Sequence, residues 1–186
     1  MKEQYATKRL LLIPANKSLT EAVTDYYVRN RTFFQAYDPV CEEEFFTYRY
    51  QRARLDLDEQ NAMQAQGYRF YLVKKEQPQQ VMGMVALNGI VWGSFCSCFL
   101  GYKLDKDHLR QGLMSEAVQE CVRIAFEELG LHRIEANIMP HNLPSLGVAE
   151  KCGFVREGLS RKYLKINGVW EDHIHMVKLN EEEYHA

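Results

Sequence analysis

The spacing of apolar positions changes several times along the chain, and each change marks an element. Residues 9–13 (RLLLI) read as a strand ended by Pro14. Residues 18–29 read as a helix with Ser18 as its N-cap candidate. A longer helical pattern, rich in charges and aromatics, covers residues 43–66 and stops at Gly67. Three strand-like runs follow, at 69–75, 80–91 and 94–104, with short polar or glycine-containing separators that suit antiparallel hairpins. Then the period lengthens. Met114, Val118, Cys121, Val122, Ala125 and Leu129 recur at three- and four-residue steps, which marks an amphipathic helix over 112–129 with Gly130 as its stop. Residues 132–139 alternate, with Ile134, Ala136 and Ile138 on one face, and Pro140 closes that strand. Residues 142–152 read as a short helix, with Asn142 as cap, Pro144 in the first turn and Gly153 at the end. Two last strands, 154–166 and 170–179, flank the hairpin dipeptide Asn167-Gly168. The order predicts an α+β fold, a mixed and mostly antiparallel sheet flanked by helices, in one domain spanning 1–186.

Composition narrows the class. With 186 residues, 46 % hydrophobic and 26 % charged, the chain can bury a sizeable core. A net charge of −2 gives no global basic field of the kind nucleic-acid binders carry. The first residues lack the apolar run of a signal peptide, and no segment approaches the roughly 18 apolar residues of a membrane span. Cysteines number five, an odd count. Cys96 and Cys98 form CxC on a strand, with no second pair to complete a zinc site. Reduced thiols, no metal and a cytoplasmic location are expected.

Two stretches carry candidate chemistry. The first is residues 101–117, GYKLDKDHLRQGLMSEA, a strand-to-helix junction. A helix N-terminus offers unpaired N–H groups and partial positive charge, and a glycine there lets a phosphate reach the backbone. Gly112, preceded by Arg110 and Gln111, suits such a cradle, but a lone glycine before a helix is weak evidence, and the same letters read first as a solvated loop leading into a core helix. The second is residues 137–154, where Asn142 and Ser145 sit three apart at a helix start. Taken alone, both residues read as helix caps ahead of catalytic groups.

Taken together, LRQGLM (109–114) and NLPSLGVAEKCGF (142–154) resemble the two signatures of the GNAT acetyltransferase superfamily. TKRLLLIP, GSFCSCFLGYKL, RQGLMSEA, HRIEANIMPHN and EGLSRKYLKINGVWEDH are similar to its bacterial RimJ/RimL-type branch, the ribosomal-protein-alanine N-acetyltransferases, with the closer likeness on the RimJ side. The resemblance covers nearly the whole chain. It implies acetyl-CoA threaded between two splayed central strands. By that resemblance Tyr102, Lys103 and Leu104 meet the acetyl and pantetheine groups. Arg110, Gln111, Gly112, Leu113, Met114 and Ser115 form the pyrophosphate loop. Asn142 contacts the pantetheine arm, Ser145 lies near the thioester sulfur, and Asn137 joins the cofactor-facing set.

The departures bear on mechanism. The leading Gln/Arg of the signature falls at Leu109, and its third small position is Met114. Positions that hold a glutamate base or a tyrosine acid in related branches are Asn137, Ala149 and Leu164 here. Direct attack by a neutral amine tolerates that loss if the acceptor is an α-amine. Its pKa lies near 7.7–8, against about 10.4 for lysine. Ser145 is the first candidate for donating to the departing thiolate, and Tyr163 the second. Glu135 is a candidate base, though it also reads as an ordinary strand-face carboxylate between Arg133 and Asn137. His141 suits a proton relay or a surface loop. His173 and His175 share a strand face without a third metal ligand, which reads as structural.

The RimJ resemblance implies the N-terminal alanine of ribosomal small-subunit protein five as acceptor. Glu42, Glu43, Glu44, Asp56, Asp58 and Glu59 could attract a basic ribosomal tail, or merely solvate a helix face. Two other functions are compatible with the sequence. One is acetylation of a small amine such as a polyamine or aminoglycoside. The other is a non-catalytic CoA-binding sensor or interaction module. Neither nucleic-acid nor membrane binding is expected.

Overall fold

The computed structural model describes residues 2–181. Its strands are β1 (Tyr5–Ala6), β2 (Leu10–Pro14), β3 (Tyr68–Lys74), β4 (Gly83–Val91), β5 (Ser97–Leu104), β6 (Arg133–Ile138), β7 (Val155–Ile166) and β8 (Val169–Leu179). The helices are α1 (Thr20–Arg29), α2 (Arg31–Phe34), α3 (Tyr48–Met63), α4 (Leu113–Arg123) and α5 (Leu143–Lys151). Among the described residues these strands form one eight-stranded sheet in the order β1-β2-β3-β4-β5-β6-β8-β7. Every neighbouring pair is antiparallel except β5 and β6. None of these helices is long and apolar enough to cross a membrane.

The alternation along β6 buries Ile134, Ala136 and Ile138 on one sheet face. There they meet the α4 stripe of Leu113, Ala117, Val118 and Cys121, with Leu146 and Ala149 of α5. Each fully buried aliphatic side chain contributes about 1.5–3 kcal/mol relative to exposure, so packing places α4 more firmly than helix propensity does. On the opposite face Tyr71, Val73, Met84 and Ala86 pack against Tyr26 and Tyr27 of α1 and Leu55 of α3. Helices therefore cover both faces, α4 and α5 on one and α1 and α3 on the other.

Local chemistry moves several predicted boundaries. The helix expected over 43–66 is broken, because Thr47 is an extended cap whose hydroxyl accepts from Tyr50 N at 3.3 Å. Glu43–Phe46 becomes a separate 3-10 turn that packs Phe45 and Phe46 into the second core. Asn16, not Ser18, supplies the cap before α1, accepting from Ser18 N at 3.0 Å and setting a 3-10 turn ahead of Thr20. Cys96 at φ 38° bends the chain, so β5 starts at Ser97 rather than at residue 94. The helix expected over 112–129 passes into a π-helical stretch at Ile124–Glu128. The short β1 and α2 had no sequence counterpart.

One feature of the sheet determines the site. β5 and β6 share only three register pairs, Ser97 with Arg133, Cys98 with Ile134 and Phe99 with Glu135. Beyond Phe99, β5 continues alongside β4 as far as Leu104. β6 continues alongside β8 to Ile138. The two parallel strands thus part company halfway along and leave a V in the middle of the sheet.

Candidate active site

A cleft of about 570 Å³ occupies that V. Its walls are the end of β5 (residues 100–104), the loop and first turn of α4, residues 136–139 after the parting of the strands, and the start of α5. Phe33, Phe34, Tyr37 and Asp38 close it on the α1–α3 side, together with His173 of β8.

At one mouth the chain makes two left-handed turns, Arg110 at φ 58° and Gly112 at φ 72°. Gly112 is the N-cap of α4, and no side chain caps the helix there. The free N–H groups of the first turn therefore open onto the cleft. A Cβ placed on Gly112 would lie 3.7 Å from the Arg9 guanidinium and 3.8 Å from the Lys151 ammonium. The helix dipole and two cations converge on one point, which favours an anion. Arg9 is braced by Nε on Glu116 at 2.7 Å and Nη1 on the Gln111 carbonyl at 2.8 Å. Gln111 itself is exposed outside the cleft. Met114, at the position where the family pattern has a small residue, is buried in the first core cluster.

At the centre, Ser145 Oγ donates to Tyr102 Oη at 3.0 Å, and Tyr102 Oη donates to the Ser145 carbonyl at 2.8 Å. Burial raises the Tyr102 phenol well above its ordinary pKa, so it stays protonated at neutral pH. Asn142 is the α5 cap, its Oδ1 accepting from Ser145 N at 3.3 Å. Thus Asn142 performs the capping, and the Ser145 hydroxyl is directed to the tyrosine instead.

On the other sheet face, Lys103 Nζ pairs with Asp38 at 2.5 Å and lies 5.6 Å from the Phe34 ring centre. Tyr26 Oη donates to the Lys103 carbonyl at 3.2 Å. Asn137 lines the cleft, and its Oδ1 is buried without a partner. His173 also lines it, 3 % exposed, with Nδ1 3.0 Å from the Glu171 carbonyl.

Leu100, Tyr102, Lys103, Leu104, Leu109, Arg110, Gly112, Leu113, Met114, Ser115, Asn137, Asn142 and Ser145 are thereby brought into one cavity. Glu135 and Tyr163 do not line it. The Glu135 carboxylate is engaged by His175 Nδ1 at 2.8 Å, by Arg133 at 3.2 Å and by Asn137. Burial pushes its pKa up, but these donors outweigh burial and hold it below the carboxylate range. The Tyr163 ring instead packs 5.7 Å from His173 and 5.2 Å from His175. His141 is exposed outside the cleft. Sequence reasoning missed Arg9, Lys151, Asp38 and the position of His173. Arg9 and Lys151 fall within the quoted stretches, but nothing in the letters places either beside Gly112, and Asp38 belongs to none of them. Alternation along β8 gives the face of His173, but not that this face borders a gap. Three of the six early acids are ion-paired: Asp56 with Lys17 at 2.6 Å, Asp58 with Arg69 at 2.8 Å, and Glu43 with Arg31. Among the described residues no three His, Cys, Asp or Glu side chains converge on a metal position.

A central sheet parted between two parallel strands, with a glycine-capped helix at its mouth, is the framework of the GNAT acetyltransferases. The chain belongs to that family, whose acetyltransferase (GNAT) domain matches residues 9–155. It is an N-acetyltransferase of GNAT type. A probable N-acetyltransferase of Bacillus subtilis, YjcK, is 41 % identical over 83 % of this chain and 84 % of its own. The [ribosomal protein uS5]-alanine N-acetyltransferase of Escherichia coli is 32 % identical over 93 % of this chain and 89 % of its own. The crystal structure of a ribosomal-protein-S5-alanine acetyltransferase from Vibrio fischeri superposes with a TM-score of 0.92 at 30 % identity. That superposition covers 96 % of this chain and 97 % of the other.

Proposed function

We propose that this protein transfers the acetyl group of acetyl-CoA to the N-terminal alanine amine of a ribosomal protein, small-subunit protein five. One observation carries the reading: the cleft runs through the sheet and its two ends differ chemically. The end at Gly112 joins helix N–H groups to the cations of Arg9 and Lys151, which suits the diphosphate of CoA. Leu100, Tyr102 and Leu104 with Ala136 and Ile138 offer an apolar sleeve for the pantetheine arm. The thioester then lies where β5 and β6 diverge.

The far end suits a small protein terminus. Phe33, Phe34 and Tyr37 make it largely aromatic, and its one carboxylate, Asp38, is already neutralised by Lys103. A polyamine would require unpaired acids, so this wall favours a short apolar residue such as alanine over a polycation. An α-amine is also partly neutral at physiological pH, whereas a lysine side chain is about 99.9 % protonated. The nitrogen attacks the carbonyl carbon, the carbon–sulfur bond breaks, and CoA leaves as a thiolate that takes up a proton. Holding amine and thioester in attack geometry supplies much of the rate.

Mass spectrometry of ribosomal proteins incubated with the enzyme and labelled acetyl-CoA tests the reading. One acetyl on the N-terminal alanine of small-subunit protein five is expected. Turnover on spermidine but not on an alanine-terminated peptide would replace it with a small-amine enzyme. Acetyl-CoA binding without turnover on either would replace it with a sensor.

A further inference from the structure

We propose that His173 Nε2 accepts the proton released when the amine attacks the thioester, and that Asn137 Oδ1 holds the amine by its other N–H. This rests on the acetyl-transfer reading above and supplies the base that the sequence lacks at the positions used by related branches.

His173 lies on β8 among residues that face away from the first core: Ile174 and Met176 belong to that core, and His173 alternates to the opposite side. It is nearly inaccessible, yet it lines the cleft. Its Nδ1 lies 3.0 Å from the Glu171 carbonyl. A carbonyl only accepts, so Nδ1 carries the hydrogen and the lone pair resides on Nε2. The backbone thus fixes the tautomer needed in a base, as a carboxylate does for the histidine of a hydrolase triad. Burial lowers the His173 pKa, so the ring is neutral near pH 7 and able to take a proton. Asn137 adds a second acceptor on the same side of the gap. Its Oδ1 is a buried atom without a partner, an arrangement with a desolvation cost unless something donates to it.

Other groups near His173 do not compete for the role. Glu171 and Asp172 are its neighbours on β8, and their negative charge opposes the effect of burial. His175, two residues on, is held by Glu135 and Ser160, and Tyr163 of β7 packs against the ring. Across the cleft Asp38 is bound to Lys103. Glu135 is bonded to Arg133, His175 and Asn137 and does not reach the cavity.

The balance is simple. The amine nitrogen bonds to the carbonyl carbon, one of its two hydrogens passes to His173 Nε2, and the carbon–sulfur bond breaks. The CoA thiolate accepts a hydrogen bond from the Tyr102–Ser145 side and takes its proton from water, and His173 returns its proton to solvent.

The test is His173→Asn with an alanine-terminated basic peptide and acetyl-CoA. Asparagine can still donate to the Glu171 carbonyl but has no basic nitrogen. Expected are a 100-fold or greater fall in kcat, acetyl-CoA affinity within threefold of wild type, and an acid limb of the kcat/KM–pH profile that falls from slope two to slope one, the acceptor amine's own protonation. An acceptor amine of lower pKa should recover part of the lost rate. If His173→Asn keeps at least half the wild-type kcat, or keeps a slope of two on the acid limb, His173 is not the base, while acetyl transfer itself stands. Wild type inactive on the peptide would remove both readings. Acetyl-CoA binding by calorimetry reports whether the variant is folded. Should it bind nothing, His173→Gln takes its place under the same criteria. Asn137→Ala should raise KM for the peptide at least tenfold and leave the pH limb in place. An unchanged KM would remove Asn137 from the proposal.

Discussion

Tyr102 and Ser145 are bonded to each other twice: the serine hydroxyl donates to the phenol at 3.0 Å, and the phenol donates to the serine carbonyl at 2.8 Å. One residue comes from the diverging half of β5 and the other from the first turn of α5. The pair therefore closes the apolar arm of the cleft and holds two hydroxyls beside the expected thioester position. Because each proton is engaged by the other partner, neither hydroxyl acts alone.

The first prediction follows from that coupling. Ser145→Ala and Tyr102→Phe should each lower kcat about 100-fold, the lower bound for losing an acid–base group. Acetyl-CoA affinity should change by no more than about threefold. The double variant should be no slower than the slower single variant, since groups acting as a unit are non-additive. Steady-state kinetics and calorimetry on the three proteins check this. Independent, multiplying effects would mean that the two hydroxyls serve separate roles.

Gly112 supports a second prediction. Its φ of 72° is left-handed, and the nearest atoms a Cβ would meet are at ordinary contact distance. The cost of Gly112→Ala is therefore backbone strain of about 1–2 kcal/mol. That corresponds to a Tm fall of about 2–8 °C for a chain of this size. Asparagine tolerates this conformation better, so Gly112→Asn should recover most of the Tm. Its side chain would still stand where the diphosphate must approach, so CoA affinity should stay at least tenfold weaker. A Gly112→Asn protein that binds CoA normally would show that close approach to the backbone is not what the glycine provides.

Lys151 gives a third. It is exposed at the end of α5, with its ammonium 3.8 Å from the position of a Gly112 Cβ. Lys151→Glu should weaken CoA binding at least tenfold at low salt, through the loss of one charge-assisted contact and the gain of a negative charge beside the diphosphate. The difference should shrink as salt screens it. Tm should stay within about 2 °C, because exposed substitutions rarely cost more than 0.5 kcal/mol. Titrations at two ionic strengths decide the matter, and a salt-independent defect would point to a packing role instead.

These residues also show what a sequence can convey. Gly112 and Asn142 were legible because helix ends are specified by local rules: a left-handed glycine, a side-chain cap, a proline in the first turn. Ser145 was legible only through the family resemblance, since its hydroxyl turns to Tyr102 and caps nothing. The alternation of Ile134, Ala136 and Ile138 likewise gave β6 its core face. Arg9, Asp38 and Lys151 were not legible, because they join the cleft through sheet order and helix placement. Nothing local ties Arg9 to Glu116 across 107 positions. Thr47 shows a different failure. Helical periodicity ran through it, but its hydroxyl competes for a backbone N–H and breaks the segment in two.

The fourth prediction concerns the wall behind the acceptor side. Asp105 follows β5 directly and is 1 % exposed. Its carboxylate accepts from Arg29 Nε at 2.7 Å, Asn30 Nδ2 at 3.0 Å and Asp107 N at 3.0 Å. It thereby ties the α1–α2 junction to the end of β5. Burial alone would raise its pKa, but the donors from Asn30, Asp107 and Arg29 outweigh it and hold the group below its ordinary value. A folded-state pKa below the unfolded one stabilises the fold above the unfolded value, near 3.9. That contribution is lost as pH falls through the folded pKa. Asp105→Ala should cost about 3–5 kcal/mol at pH 7, because Arg29 keeps a partly buried charge without this partner. Asp105→Asn should be destabilised most above pH 4, and its deficit should narrow as the wild-type carboxylate becomes protonated. Denaturant melts from pH 7 down to pH 2.5 measure that convergence. Two curves that stay parallel through the acid range would mean that the Asp105 charge does not hold α1 and α2 against the cleft.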